Sequence, residues 1–356
     1  MKILAIETSC DETAAAVLEA TDGRFLVLSN IISSQIALHA QYGGVVPHLA
    51  AREHVKNIEH VIEAALKEAQ TDIKNIDLIA VTHGPGLGPA LIVGLTYAKT
   101  LAQQYSKPVI GVNHMDGHIH SNWLEPAEPI EDIFPALNVV VSGGHTELVL
   151  MRDHGDYEII GETLDDAVGE AFDKSARLLG LGYPGGPAIS KLAEEGNPEK
   201  YPLPRPMLHS KDFNFSYSGL KTAVLYLIRD LTKVSPSDAA SGHSSMSLTD
   251  QQKKDIAASF QDAAIDVLVQ KAARAIEKHT VKSILLSGGV SANKLLRARL
   301  DQLAKGNSIK YFCPAMKYTT DNAAMIGIAG YFAYHKQKDS LPSWDMITMH
   351  PNLSLS

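Results

Sequence analysis

The run Asn113-His114-Met115-Asp116-Gly117-His118 sets two imidazoles four residues apart. On a helix, residues i and i+4 lie on one face, so both side chains could reach a single metal ion. Pro108 to Val112, a short apolar strand, precedes them and puts His114 at a strand-to-helix junction. Two ligands leave a metal half-coordinated. The best third is Asp321, in the polar turn Thr319-Thr320-Asp321-Asn322 that opens a late helix. Two His and one carboxylate suit Zn(II) or Fe(II) and leave positions open for a substrate. Spacing alone leaves the plainer alternative open, two solvated histidines on a surface helix. A zinc metalloprotease of this spacing needs a Glu directly after the first His as general base. Here that residue is Met115, which takes no proton, and the helical period turns Asp116 to another face.

The elements that must position these residues follow a repeated grammar. Ile3 to Glu7 reads as a strand, Thr8 to Thr13 as a polar turn and Ala14 to Leu18 as a returning strand. The same pattern recurs at Leu137 to Val141, Ser142-Gly143-Gly144-His145-Thr146 and Glu147 to Met151. A third run, Ile284 to Val290, goes from strand into turn and then into a helix beginning near Ser291. Turns rich in Ser, Gly and Thr offer backbone N–H groups and hydroxyls to phosphate. Two such hairpins, each opening one half of the chain, predict a duplicated domain with a nucleotide between the halves.

Between them helix and strand alternate. A long amphipathic helix is expected over about Pro47 to Ala69, a strand over Leu78 to Thr82 and a helix over Ala90 to Gln103. The intervening Gly84-Pro85-Gly86-Leu87-Gly88-Pro89 fails as a dinucleotide fingerprint, because Pro89 stands at the third glycine position. A helix over Asp166 to Leu179 ends at the C-cap Gly180, and Gly182 to Pro187 reads as a rigid turn open to close ligand approach. Pro202 to Pro206 reads as an extended connector and Ser235 to Ser247 as a mobile surface loop. The chain closes with a helix to about Lys278, a strand, a helix to about Leu303, a strand at Ile309 to Cys313 and a helix from Asp321. The class is α/β.

Composition narrows the setting. At 356 residues there is room for two domains with sizeable cores. A formal charge of −8 argues against bulk electrostatic coating of nucleic acid. Two distant cysteines, Cys10 and Cys313, and a short N-terminal apolar run predict a reducing, cytoplasmic setting. No apolar run reaches the roughly 18 residues of a membrane span.

Taken together, eight ordered motifs resemble the tRNA threonylcarbamoyladenosine synthesis family, whose members were once described as glycoproteases. They are Ile6 to Thr13, His114 to His118, Val140 to Thr146, Gly169 to Lys174, Tyr183 to Pro187, Phe215 to Lys221 and Gly288 to Asn293, with Thr320-Asp321-Asn322 closing the series. The resemblance covers nearly the whole chain. It implies an actin-like ATPase fold, two related lobes around a central nucleotide cleft, and it implies Asp321 as the third metal ligand. We expect lobes over residues 1–133 and 134–320, with the last helix and tail, about 321–356, packing back onto the first. Asn113 and Ser190 depart from residues found in some members, His and Asp respectively, and the Ser-rich loop is longer.

The implied reaction transfers a threonylcarbamoyl group from its adenylate to the adenosine beside the anticodon in tRNAs reading ANN codons, releasing AMP. A metal, Fe(II) or Zn(II), held by His114, His118 and Asp321 would polarise the carbonyl. Val140, Val141, Ser142, Gly143 and Gly144 would offer N–H groups to phosphate and leaving oxygens. Asp173 suits a ribose hydroxyl, Gly186 close approach to the sugar or base, and Asn293 the adenine edge. Glu12, with Asp11 beside it, is a base or a positioning group. Lys294, Arg297 and Arg299 make one RNA patch, and Arg205, Lys211 and Lys221 another. The resemblance further implies a paralogous actin-like subunit pairing with the first lobe, a small ATPase, an upstream threonylcarbamoyl-AMP synthase, and ATP as a further adenine nucleotide.

Overall fold

Ile3 to Glu7 is an unbroken buried run, the pattern of a strand covered on both faces, and it lies at the centre of the first sheet. The computed structural model describes residues 1–21, 23–126, 130–232, 247–338 and 341–355. The first sheet holds β1 (Lys2–Glu7), β2 (Glu12–Thr21), β3 (Arg24–Ser34), β4 (Leu78–Gly84) and β5 (Val109–Asn113), in the order β3-β2-β1-β4-β5. The hairpin strands pair antiparallel, and β1-β4-β5 run parallel. The second sheet holds β6 (Ala136–Val141), β7 (Thr146–Asp153), β8 (Asp156–Glu162), β9 (Ser283–Ser287) and β10 (Lys310–Phe312). Its order, β10-β9-β6-β7-β8, repeats the first with the same pairing senses. The duplication expected from the two hairpins is present.

The helices are α1 (Ile36–His39), α2 (Pro47–Glu68), α3 (Gly88–Tyr105), α4 (His114–His120), α5 (Val168–Leu178), α6 (Gly185–Ala193), α7 (Ser218–Thr232), α8 (Asp250–His279), α9 (Lys294–Gly306) and α10 (Ala323–Gln337). One face of the first sheet buries Leu4, Ile6 and Val17 against Ile58, Ile62 and Leu95 of α2 and α3. Its other face packs Ile3, Ala5 and Ala16 on Met325 and Ile328 of α10. The second sheet sets Val139 and Leu286 against Phe172 and Phe260 of α5 and α8, and its far face sets Val140 and Leu285 against Met115 and Ile119 of α4. Helices α4 and α10 therefore fill a layer between the two sheets.

Several expectations need correcting. The edge strands β3 and β8 were not anticipated, because polar residues such as Ser29, Asn30 and Glu158 break their apolar runs. The segment from Gly182 is more than a turn, since α6 begins at Gly185. A short 3-10 turn, Gly289–Ala292, delays the next helix to Lys294. The stretch from Ser235 to Ser247 lies, apart from Ser247, outside the described residues. Among the described residues no helix is long and apolar enough to cross a membrane.

Candidate functional site

Helix α4 starts where β5 ends because Asn113 caps it. The Asn113 Oδ1 accepts from the Met115 N–H at 2.8 Å and the Asp116 N–H at 3.4 Å. His114 and His118 follow on one face, rings edge to face with centroids 4.7 Å apart. Gly117 between them is the contact point with α10, where a Cβ would stand 2.8 Å from Ile326 Cδ1. That close packing brings the residue two before α10 onto the histidines. Asp321 Oδ1 lies 3.5 Å from His114 Nε2 and 3.2 Å from His118 Nε2. The three ligand atoms fall within 4.8 Å of one another. Asn322, not Asp321, caps α10, accepting from the Met325 N–H at 3.1 Å.

The donor set fits a small divalent ion. His118 is fully buried, yet neither ring nitrogen has a hydrogen-bonded partner among the described residues. Its Nε2 lies near Asp321 without being aligned to bond it, so both groups face a common space. On the opposite side, His114 Nδ1 meets Glu7 Oε2 at 3.1 Å and Ser9 Oγ at 3.2 Å. Glu7 is buried and also accepts from the Ser9 N–H and the Thr82 hydroxyl. Burial alone would lower the His114 imidazole, but the Asp321 and Glu7 carboxylates raise it well above its usual range. Burial pushes Asp321 up, and His114 with His118 overrides it and holds the carboxyl far below the usual range.

Sequence reading missed Glu7, which passes for the last residue of an apolar strand. The signal was a lone carboxylate ending a buried run, and only the third dimension gives it a partner. A carboxylate on the rear nitrogen fixes the tautomer that presents Nε2 to the ion. Glu7→Gln should lower metal affinity about 10- to 100-fold, with activity returning at high metal. Metal titration of the purified variant checks this, and an unchanged affinity would remove Glu7 from the site.

His114 and Asp321, with His118 buried behind them, border a cavity of about 1490 Å³ that draws residues from both lobes. This exceeds the roughly 300–1,000 Å³ of an ordinary small-molecule site. His54 holds the first hairpin turn in place, through Thr13 Oγ1 at 2.8 Å and the Cys10 carbonyl at 3.0 Å. That turn presents Asp11 and Glu12 to the cavity, and Asp11 Oδ2 is buried without a hydrogen-bonded partner among the described residues. Burial, then the charges of Asp321 and Asp11, push Glu12 up to about 9. His145 on the facing lobe is lowered to about 4 by burial and by the two histidines.

Glu147, also unforeseen, lines the cavity and is pushed up to about 7 by burial and by Glu162. The folded value exceeds the unfolded one, so burial costs nothing at low pH and destabilises increasingly as pH rises toward 7. Glu147→Gln should therefore stabilise the fold by about 1–3 kcal/mol at pH 8 and by much less at pH 5. Thermal melts at the two pH values test it; equal shifts would contradict the assignment.

The other expected site residues are placed unevenly. Ser142, Gly143 and Gly144 line the cavity, but Val140 and Val141 are fully buried in the ladder of β6. The Ser142 N–H is taken by the His145 carbonyl at 2.8 Å. Asp173 lines the cavity while accepting from the Gly185 N–H at 2.7 Å, and burial raises it. Gly186 lines it with open space where a Cβ would stand. Asn293 caps α9 through Leu296 N–H at 3.0 Å, and its amide donates to Ser190 Oγ at 3.0 Å and Gln261 Oε1 at 2.8 Å. Both its donors are thus engaged. The basic patches are largely paired: Arg205 and Arg299 bind Asp262, Lys221 binds Asp166, Lys294 binds Glu194, and Arg297 holds backbone carbonyls. Met115 is buried in the core, and Asp116 takes the Tyr157 hydroxyl and His120 at 2.9 Å, so neither serves the cluster as a protease base would.

Known proteins resemble this chain in fold and in sequence. The structure of HypF from T. kodakarensis superposes with a TM-score of 0.60 over 97% of this chain and 48% of that one, at 15% identity. That likeness concerns the fold alone, which is the actin-like, two-lobed fold. A tRNA N6-adenosine threonylcarbamoyltransferase of Thermosipho africanus is 45% identical over 357 residues, covering 100% of both chains. One of Thermomicrobium roseum is 51% identical over 341 residues, covering 93% of this chain and 92% of that one. A sequence model described as TsaD, tRNA N6-adenosine threonylcarbamoyltransferase, matches residues 26–328. With full-length relatives and a family match over most of its length, this chain belongs to the tRNA N6-adenosine threonylcarbamoyltransferase family.

Proposed function

We propose that this protein transfers the threonylcarbamoyl group of threonylcarbamoyl-AMP to N6 of the adenosine adjacent to the anticodon in tRNAs reading ANN codons. A bond forms from N6 to the carbamoyl carbon, the bond from that carbon to the phosphate oxygen breaks, and AMP leaves. The observation that carries this reading is the His114, His118 and Asp321 cluster, of which His114 and Asp321 line a cavity large enough for both a nucleotide and a splayed base while His118 is buried behind them. Those three residues would hold an Fe(II) or Zn(II) ion, which when bound supplies Lewis-acid polarisation of the acyl carbonyl. Glu7 orients His114 for that task.

The Ser142-Gly143-Gly144 turn faces the cavity. With the Ser142 N–H engaged, the anion-binding role falls to Gly143 and Gly144. Gly186 lets the sugar or base approach, and Asp173 has oxygen capacity left for a ribose hydroxyl. Asn293 keeps a free lone pair on Oδ1 for an adenine amine, its donors being spent on Ser190 and Gln261. Asp11 and Glu12 stand side by side on the cavity wall, and this pair takes the N6 proton.

The tRNA is held with help from other subunits, because the basic side chains considered for it are mostly paired internally. Val55 on α2 and Ile92 on α3 are exposed apolar residues on the first lobe that suit a paralogous actin-like partner. A small ATPase and a synthase that makes the adenylate complete the expected company. The test supplies metal-loaded protein and partners with threonylcarbamoyl-AMP and unmodified tRNA, then reads nucleosides by mass spectrometry. Threonylcarbamoyladenosine at the position beside the anticodon supports the reading; intact adenylate and unmodified tRNA overturn it.

A further inference from the structure

The closing segment of the chain returns to the site and becomes part of it. Ile347 is buried in the core of the first lobe, and Leu355 is buried among Met115, Ile119 and Leu285 between α4 and the second sheet. Between these two anchors hydrogen bonds tie the backbone down. The His350 N–H donates to the His83 carbonyl at 2.7 Å, and the Gly86 N–H to the Pro351 carbonyl at 3.1 Å. Asn113 Nδ2 donates to the Ser354 carbonyl at 3.0 Å. Gly84, at φ +158°, makes room for the passage, since a Cβ there would stand 2.0 Å from the His350 carbonyl oxygen.

The face turned inward matters more. Pro351, Asn352, Leu353 and Ser354 line the same cavity as His114 and Asp321. They do so at the His114 end, because Gly86 abuts Ser9, whose hydroxyl meets His114 Nδ1. Asn113 links the two, capping the His helix with its oxygen and gripping the segment with its nitrogen. The residues assigned to the nucleotide, Asp173, Gly186 and Asn293, belong to α5, α6 and the α9 cap in the other lobe.

We propose that Met349–Leu355 is a strap that walls the acyl end of the cavity and sets how tightly the transferred group, but not AMP, is held. This rests on the transferase reading above. Asn352 and Ser354 are its specificity-determining residues, offering amide and hydroxyl groups to the polar substituents of the acyl group. Leu355 and Asn113 are positioning residues that hold the strap in place. An acyl group grips best against a wall already fixed, since ordering the strap on binding would subtract from affinity.

Leu355→Asp removes the buried anchor, and Leu355→Met keeps it. Asn113→Asp keeps an equally good helix cap but loses the donor to Ser354. With metal-loaded protein, Leu355→Asp and Asn113→Asp should raise KM for threonylcarbamoyl-AMP about tenfold with kcat changed less than about threefold. AMP binding by calorimetry and metal content should stay at wild-type values, and Leu355→Met should behave as wild type. Amide exchange of residues 349–355 reports whether the strap has been released. Release with KM unchanged overturns the proposal, as does an equal loss of AMP affinity. If Leu355→Asp does not fold, Asn113→Asp decides alone. A wild-type protein that transfers nothing instead overturns the transferase reading, and leaves the exchange data to say only whether the anchors hold.

Discussion

Asp321→Asn should cost this protein its divalent ion and most of its transfer rate while leaving the following helix intact. The substitution keeps shape and one oxygen but removes the charge that sits 3.2 and 3.5 Å from two imidazole nitrogens. Metal affinity should fall at least about a hundredfold, since an amide oxygen is a far weaker ligand for a dication than a carboxylate. A helix-capping role for Asp321 would make the exchange silent, but Asn322 is the cap. The pH behaviour follows in sign. The Asp321 carboxyl is held below its usual range, so its stabilisation of the metal-free fold is present at neutral pH and is lost only in strong acid. His114 is held above its usual range, so its contribution is full below about 6.5 and fades as pH rises through the folded value. The metal-free variant should therefore melt lower than wild type at pH 6. Metal content, transfer rate and melting temperature read all three effects; near-normal metal and rate would leave the cluster without its carboxylate ligand.

The two histidines should be equally essential to transfer and unequal in stability. His114→Ala and His118→Ala each leave two ligands, and we expect loss of the ion and at least a thousandfold, on the order of 4 kcal/mol, in rate. Among the described residues His118 finds no aligned hydrogen bond, so its removal takes little from the metal-free fold beyond packing. His114 is the partner of buried Glu7, and its removal leaves that carboxylate facing an emptied site, a loss of about 3 kcal/mol. Denaturant titration of the two metal-free proteins should separate them, with His114→Ala the weaker. Full metal occupancy in either variant would refute the ligand assignment.

What the sequence made legible was local. The His spacing survives because α4 obeys helical period over a single short helix, and the duplicated hairpins survive because buried central strands read as unbroken apolar runs. Helix bounds at Pro47–Glu68 and Gly88–Tyr105 came within two residues of expectation, carried by long amphipathic patterns. The antiparallel edge strands β3 and β8 were lost, since a strand covered on one side keeps its polar residues. The functional losses share another cause. Glu7 acquires meaning from a histidine 107 positions away, and the strap from partners such as His83, across the first lobe. Periodicity carries no information over such separations. The basic residues misled for the converse reason: positive charge is visible in a sequence, whereas the carboxylate that neutralises it is not.

The layer between the sheets has a mechanical consequence. The chain passes from the first sheet to the second after β5, through α4, and returns after β10, past Asp321, into α10. The three residues proposed to hold a metal thus stand on both crossings, where Gly117 presses one helix onto the other. Any rotation of one lobe against the other pivots near its chain crossings, as hinges do. Points near a fulcrum travel least. Opening the cleft can therefore swing the cavity-lining glycines of the second lobe through a wide arc, while the imidazoles and their carboxylate keep their separations.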